Sequence, residues 1–234
     1  MNTLRFLAAA VLLAGCGSGA ALPTASRDAT LAPTATATAV ASSAGTADSS
    51  AASTAWSVVA SGSKAVVSVR EQLVGVSLPS DAVLTATGAT GRFALRADGT
   101  FSSDSKITID LTTLASDSRQ RDDFVKQDTL NTRQFPKADF VPAKTSGLTV
   151  PLASSGTFTF KLTGNLTIHG KTKEVTFDVV ARRTGTDLTV TATLNPTFKF
   201  GDFGMSAPSV PFRVVSVVDE IHLVVELVAT GAGA

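Results

Sequence analysis

Two histidines, His169 and His222, and one cysteine, Cys16, are the side chains of this 234-residue chain best suited to chemistry near neutral pH. A single thiol can form neither an internal disulfide nor a Cys-based zinc site, since each needs at least two. His169 stands beside Gly170 in what reads as a hairpin tip, and His222 alternates with Glu220 and Val224 on the polar side of an apolar run. Both are expected on the surface. Asp202 and Asp219 could orient loops or serve as acids, but the chain offers no base to pair with either. G-x-S-x-G, H-E-x-x-H and a glycine-rich phosphate loop are all missing. This inventory points to binding, with no catalytic residue, metal or cofactor expected.

Charge narrows the class of ligand. Lys and Arg total 20 against 19 Asp and Glu, charged residues make up 17% of the chain, and no basic block occurs, so no nucleic-acid partner is expected. Arg5 and the α-amine precede an apolar run from Phe6 to Leu13, which reads as an export signal. The run is shorter than the ~20 residues that a spanning helix needs, and no transmembrane helix is expected. Leu13-Ala14-Gly15-Cys16 follows at once and resembles the lipobox of bacterial lipoproteins. That resemblance implies cleavage after residue 15, acylation of Cys16 and a membrane partner reached through it. Residues 17–55 contain 28 Ala, Ser or Thr in 39 positions and no periodic apolar face, and read as a disordered tether with a root-mean-square reach of about 34 Å. The expected organisation is a signal over 1–15, a lipidated cysteine and tether over 16–55, and a folded domain over 56–230.

From Trp56 onward the period is two. Phe158, Phe160, Leu162, Gly164, Leu166 and Ile168 alternate with polar residues, and Val175, Phe177, Val179 and Ala181 repeat the pattern after a tight turn at His169-Gly170. Further strands are expected over Ala65–Leu73, Val83–Thr87, Gly91–Leu95, Ile107–Leu111, Leu188–Leu194 and Ile221–Leu227. About eight such strands argue for an all-β antiparallel sandwich or barrel. Ser116–Leu130 breaks the alternation, with a Ser N-cap and carboxylates near a first turn, and is expected to be a short helical segment where a lid could sit.

Three motifs carry a family resemblance. Asp117 with Arg121-Asp122, Phe124 and then Phe135-Pro136 through Phe140 form the first; Gly164-Asn165-Leu166-Thr167-Ile168-His169-Gly170-Lys171-Thr172-Lys173-Glu174-Val175 forms the second. Asp202-Phe203-Gly204-Met205 with Val218-Asp219-Glu220-Ile221 is the third. In this order they resemble the YceI-like family. The resemblance implies an extended lipocalin-like barrel of eight antiparallel strands that holds a long amphiphilic lipid, such as a polyisoprenoid, outside the cytoplasm. Two positions depart from the family pattern: Ser61-Gly62-Ser63 lacks the histidine usual on the first strand, and Phe200 replaces a basic residue common two positions before Asp202-Phe203-Gly204.

A barrel of eight strands can be filled by its own side chains or can hold one small ligand, and alternation alone does not decide between them. If a cavity exists, its expected lining is Phe93, Leu95, Ile107, Ile109 and Phe124 from the first half of the domain. Phe158, Phe160, Leu162, Phe177 and Val179 would follow from the long hairpin. Leu188, Val190, Phe203, Met205, Ile221 and Leu223 would complete it. Arg121, Asp122 and Lys126 are the candidates for contact with a lipid head group, or else an ordinary solvated surface. The expected partners are an amphiphilic lipid and the membrane on the extracytoplasmic side; a homodimer stays open. Two alternatives also remain, an enzyme acting on a lipid-like substrate and a filled barrel with a structural role.

Overall fold

Alternation from Ser155 to Thr184 builds the longest hairpin of the fold. The structure, a computed structural model, describes residues 53–209 and 212–231, and in it β6 (Ser155–Ile168) and β7 (Lys171–Thr184) pair along their whole length. His169 and Gly170 both have positive φ, 50° and 71°, as a two-residue turn matched to the strand twist requires. His169 is half-buried rather than on the open surface. Its ring meets Phe135 edge-on at 4.7 Å, and Nδ1 lies 3.3 Å from the carbonyl oxygen of Phe203. The hairpin tip is thereby stapled to the segment that carries the Asp-Phe-Gly motif.

The other strands are β1 (Thr54–Leu73), β2 (Ser80–Ala86), β3 (Thr90–Leu95), β4 (Lys106–Asp110), β5 (Lys137–Ser146), β8 (Asp187–Leu194) and β9 (Val214–Gly231). All pairings are antiparallel, and β9 returns to β1, so the sheet closes into a barrel. Closure removes the open edges that an antiparallel sheet would otherwise expose. There are nine strands against the eight expected, and β5 is the addition. Pro142 and a register shift between Pro142 and Lys144 break its alternation.

β1 serves two neighbours on one side. Its first residues pair with β3, from Thr54↔Leu95 to Ser57↔Arg92, and its second half pairs with β2, from Ala65↔Ala86 to Glu71↔Ser80. Between them a bulge at Gly62 (φ 92°) shifts the register against β9. Ser63, buried in the bulge, donates from Oγ to the carbonyl of Val59 at 2.6 Å and accepts the Val228 N–H at 2.9 Å. The bulge moves the inward row from even positions, Trp56 and Val58, to odd ones, Ala65, Val67, Val69 and Glu71.

Helix α1 (Arg119–Phe124) continues into a π turn over Val125–Thr129, inside the segment where a helix is expected. Short 3-10 turns occupy Leu111–Thr113 and Phe200–Phe203. The end of the barrel near Thr54 is plugged by aromatics. Trp56 stacks on Phe93 at 5.5 Å, Phe93 meets Phe101 at 6.5 Å, and the Arg183 guanidinium sits 5.5 Å above the Trp56 ring. The middle is also filled, with Phe140 edge-on to Phe177 at 5.2 Å above a buried Val179.

Candidate ligand-binding cavity

The inward rows hold small residues at the opposite end. β2 turns Ala82, Leu84 and Ala86 inward, and the facing part of β1 turns Val67 and Val69 inward. These side chains leave space that the aromatics fill elsewhere. A cavity of about 490 Å³ opens there, within the range typical of small-molecule sites. Val67, Val69, Ala82 and Leu84 form one wall. Leu111, Leu114, Phe124, Val125 and Leu130 form a second, and Ile168, Phe198, Phe200, Met205 and Ile221 form a third.

The second wall depends on how residues 111–130 are fastened. Thr85 and Ala115 exchange two backbone hydrogen bonds, 2.8 and 2.9 Å, which dock the segment on the outer edge of β2. Ser118 caps α1 by accepting the Arg121 N–H. Asp122 is buried, and its Oδ1 accepts from both the N–H (2.8 Å) and the hydroxyl (2.6 Å) of Ser116. The third wall rests on the Phe200–Phe203 turn. There Asp202 accepts from the ammonium of Lys173 and from the Lys199 N–H, which together hold its carboxyl below the usual carboxylate range. Asp219 accepts the Phe200 N–H at 2.8 Å and fixes the turn from the other side.

Polar groups stand on one side of an otherwise apolar lining. Glu71, the inward residue near the end of β1, is 7% exposed, and its Oε1 accepts from Nη2 of Arg121 at 2.7 Å. Nη1 of Arg121 donates to Asp117 and, at 3.3 Å, to the Ser116 hydroxyl. Burial disfavours the guanidinium charge, but the hydrogen bonds to Asp117 and Glu71 outweigh it and raise the Arg121 pKa. At the rim, Arg213 donates to Gln120 at 2.6 Å, linking the start of β9 to α1. Val74, Val76 and Phe212 also edge the opening, and Phe212 is 95% exposed.

Comparison with known proteins agrees with this architecture. The model of the YceI-like domain matches residues 56–229, about three quarters of the chain. The chain belongs to the YceI-like family. Proteins of Pseudomonas putida described as UPF0312 proteins are 34–35% identical to it over 128 residues, 47% of this chain, and the match spans about three fifths of their length, 61%. Among solved structures, a polyisoprenoid-binding domain from Saccharophagus degradans superposes with a TM-score of 0.58 at 13% identity, covering 76% of this chain and 98% of that one. BcnA of Burkholderia cenocepacia gives 0.54 at 22% identity, covering 74% and 99%. At these identities the two structures speak for a shared fold.

Within this YceI-like barrel the expected lining residues divide by position. Phe124, Met205 and Ile221 stand on the cavity wall. Phe93 and Leu95 are buried at the plugged end, while Ile107, Ile109, Phe177, Val179, Leu188 and Leu223 are buried elsewhere in the core. Phe203 is wholly buried behind the wall, edge-on to Phe198 at 5.2 Å. Phe160, Leu162 and Val190 are half-buried against the core, Phe158 is half-buried further along β6, and none of the four borders the cavity. Of the head-group candidates, Arg121 lines the cavity, Asp122 is occupied by Ser116, and Lys126 lies half-buried on the π turn away from the wall. Cys16, the signal and residues 17–52 of the tether lie outside the described residues.

Glu71 was not among the expected site residues. Its signal is an acidic residue at the inward parity of Ala65, Val67 and Val69, readable once that strand is phased. The two departures from the family pattern have structural counterparts. The first-strand segment that lacks histidine forms the Gly62–Ser63 bulge, and Phe200, where a basic residue is common, is buried and extends the apolar third wall.

Proposed function

We propose that this protein binds and carries an amphiphilic lipid, a polyisoprenoid or a similar long-chain molecule, with the apolar tail in the cavity beside α1. The observation that carries the reading is the cavity itself: three largely apolar walls, polar groups gathered on one side, and a rim where Val74, Val76 and Phe212 stand beside Gln120 and Arg213. The polyisoprenoid-binding domain from Saccharophagus degradans, which shares the fold, supports the choice of ligand class. The role is non-catalytic. Among the described residues no histidine borders the cavity, and its inward carboxylate, Glu71, is ion-paired with Arg121 with no second acid–base group beside it on the wall to complete a catalytic pair.

A tail drawn from a bilayer gains little from burial alone, because one apolar surrounding replaces another. Shape and polar contacts then decide affinity. Organic extraction of the purified protein, followed by mass spectrometry, is expected to yield a long-chain lipid near one per protein. Ala82→Phe, which adds volume directly into the cavity, is expected to reduce that occupancy severalfold while the denaturant midpoint of the lipid-free protein changes little. Phe160→Trp, placed away from the cavity, serves as the control with occupancy retained. Equal lipid content in wild type and Ala82→Phe would place the ligand elsewhere and sink the reading.

The same proposal holds the protein on the extracytoplasmic side of a membrane through acylated Cys16. Labelled palmitate is expected to enter the wild type and not Cys16→Ser. Equal membrane association of the two would remove the anchor and leave the cavity reading in place.

A further inference from the structure

We propose that the cavity selects amphiphiles whose head group donates a hydrogen bond and carries no negative charge, an alcohol or an amine in preference to a phosphate or carboxylate. This rests on the lipid-binding reading above and adds the chemistry of the head group. The geometry points to it through Glu71. Its carboxylate is buried in the wall, and the hydrogen bond it makes among the described residues runs through Oε1, so Oε2 remains as an acceptor.

Arg121, the cation beside it, is largely engaged. Nη1 donates to Asp117 and the Ser116 hydroxyl and Nη2 to Glu71, three of the four Nη hydrogens; inside the wall Glu71 and Arg121 form a neutral pair, and the charge of Asp117, 86% exposed, is screened by water. An anionic head beside Oε2 meets a carboxylate oxygen at close range with no hydrogen to share, whereas a hydroxyl or ammonium meets an acceptor with spare lone pairs. Arg213 is the other cation at the opening. It is exposed and faces solvent at the rim, where water and salt screen its pull, while Glu71 acts from within the wall.

The test compares three probes with one tail, geranylgeraniol, geranylgeranylamine and geranylgeranyl monophosphate, binding at neutral pH to the lipid-stripped full chain. The alcohol and the amine are expected to bind at least about tenfold tighter than the phosphate, in line with the cost of juxtaposing like charges. Glu71→Gln removes the buried charge yet keeps an oxygen for Arg121, and is expected to narrow the gap to about threefold or less by the same argument. Asp117→Asn, at an exposed and screened position, is the control and is expected to change the gap less than Glu71→Gln does. Phosphate binding as tight as the alcohol in wild type would overturn the selectivity while leaving the lipid-binding reading intact, and so would a gap that is unchanged in Glu71→Gln or narrowed as much by Asp117→Asn. Failure of all three probes to bind would overturn both.

Discussion

Phe203→Ala is expected to destabilise the barrel by about 4 kcal/mol, in the range for removing a fully buried phenyl ring. Phe203 is 0% exposed, packs edge-on against Phe198, and its carbonyl oxygen receives the His169 ring that staples the hairpin tip. The ring backs Phe198, which lines the third cavity wall, so its loss removes that support as well as its own contacts. Collapse into the gap is restricted, because the turn is held by Asp202 and Asp219 from two sides. Urea unfolding is expected to show a lower midpoint with an unchanged slope. Phe203→Leu, which retains most of the volume, is expected to lose only about 1 kcal/mol. A loss below 1 kcal/mol for the alanine variant would mean that the turn is not packed as described.

Arg121→Leu is expected to cost about 3 kcal/mol, because it strands Glu71 in the wall without its counter-charge. The size follows from burial: the side chains are 20% and 8% exposed, so neither is solvated as an ordinary surface pair would be. Pairs such as Arg70–Asp81, with both side chains 53% exposed, are expected to contribute well under 1 kcal/mol each. Replacing both partners separates the explanations. The double variant Glu71→Leu with Arg121→Leu is expected to recover most of the loss, since an apolar pair in an apolar wall needs no counter-ion. If the double variant is as unstable as the sum of the two single ones, the cost lies in packing rather than in an unpaired charge.

The barrel was legible where local pattern and turn chemistry agreed. Alternation on both sides of His169-Gly170 specified the long hairpin, and Ser118 with the following carboxylates marked the helical segment. β5 was hidden because Pro142 and its neighbouring bulge remove the alternation by which strands are recognised. The first half of β1 was hidden for a related reason: the Gly62–Ser63 bulge reverses the inward parity, so one strand does not read as a single periodic run.

The site was only partly legible. Every strand contributes an apolar inward row, and nothing in such a row tells which end of the barrel is filled. That is settled by which side chains stand next to one another on neighbouring strands: Trp56 beside Phe93 at one end, and Val69 beside Ala82 with Val67 beside Leu84 at the other. Glu71 and Arg121 are 50 residues apart, and their pairing depends on α1 lying over the end of β1. Arg121 stood out in sequence because it belongs to a family motif. Its partner did not.

β1 and β9 run antiparallel, with Trp56 opposite Gly231 and Leu73 opposite Val214. Both ends of the barrel's chain therefore emerge on the plugged face, and the opening lies at the other pole. β1 has 20 residues, ~66 Å of extended chain at the usual rise per residue, and because barrel strands tilt by roughly 35–45° the two faces lie closer together than that. A label or partner joined directly to either end of the barrel therefore sits beside the Trp56–Phe93 plug and leaves the cavity mouth unobstructed. Access to the cavity is thus measurable on a barrel immobilised by either end.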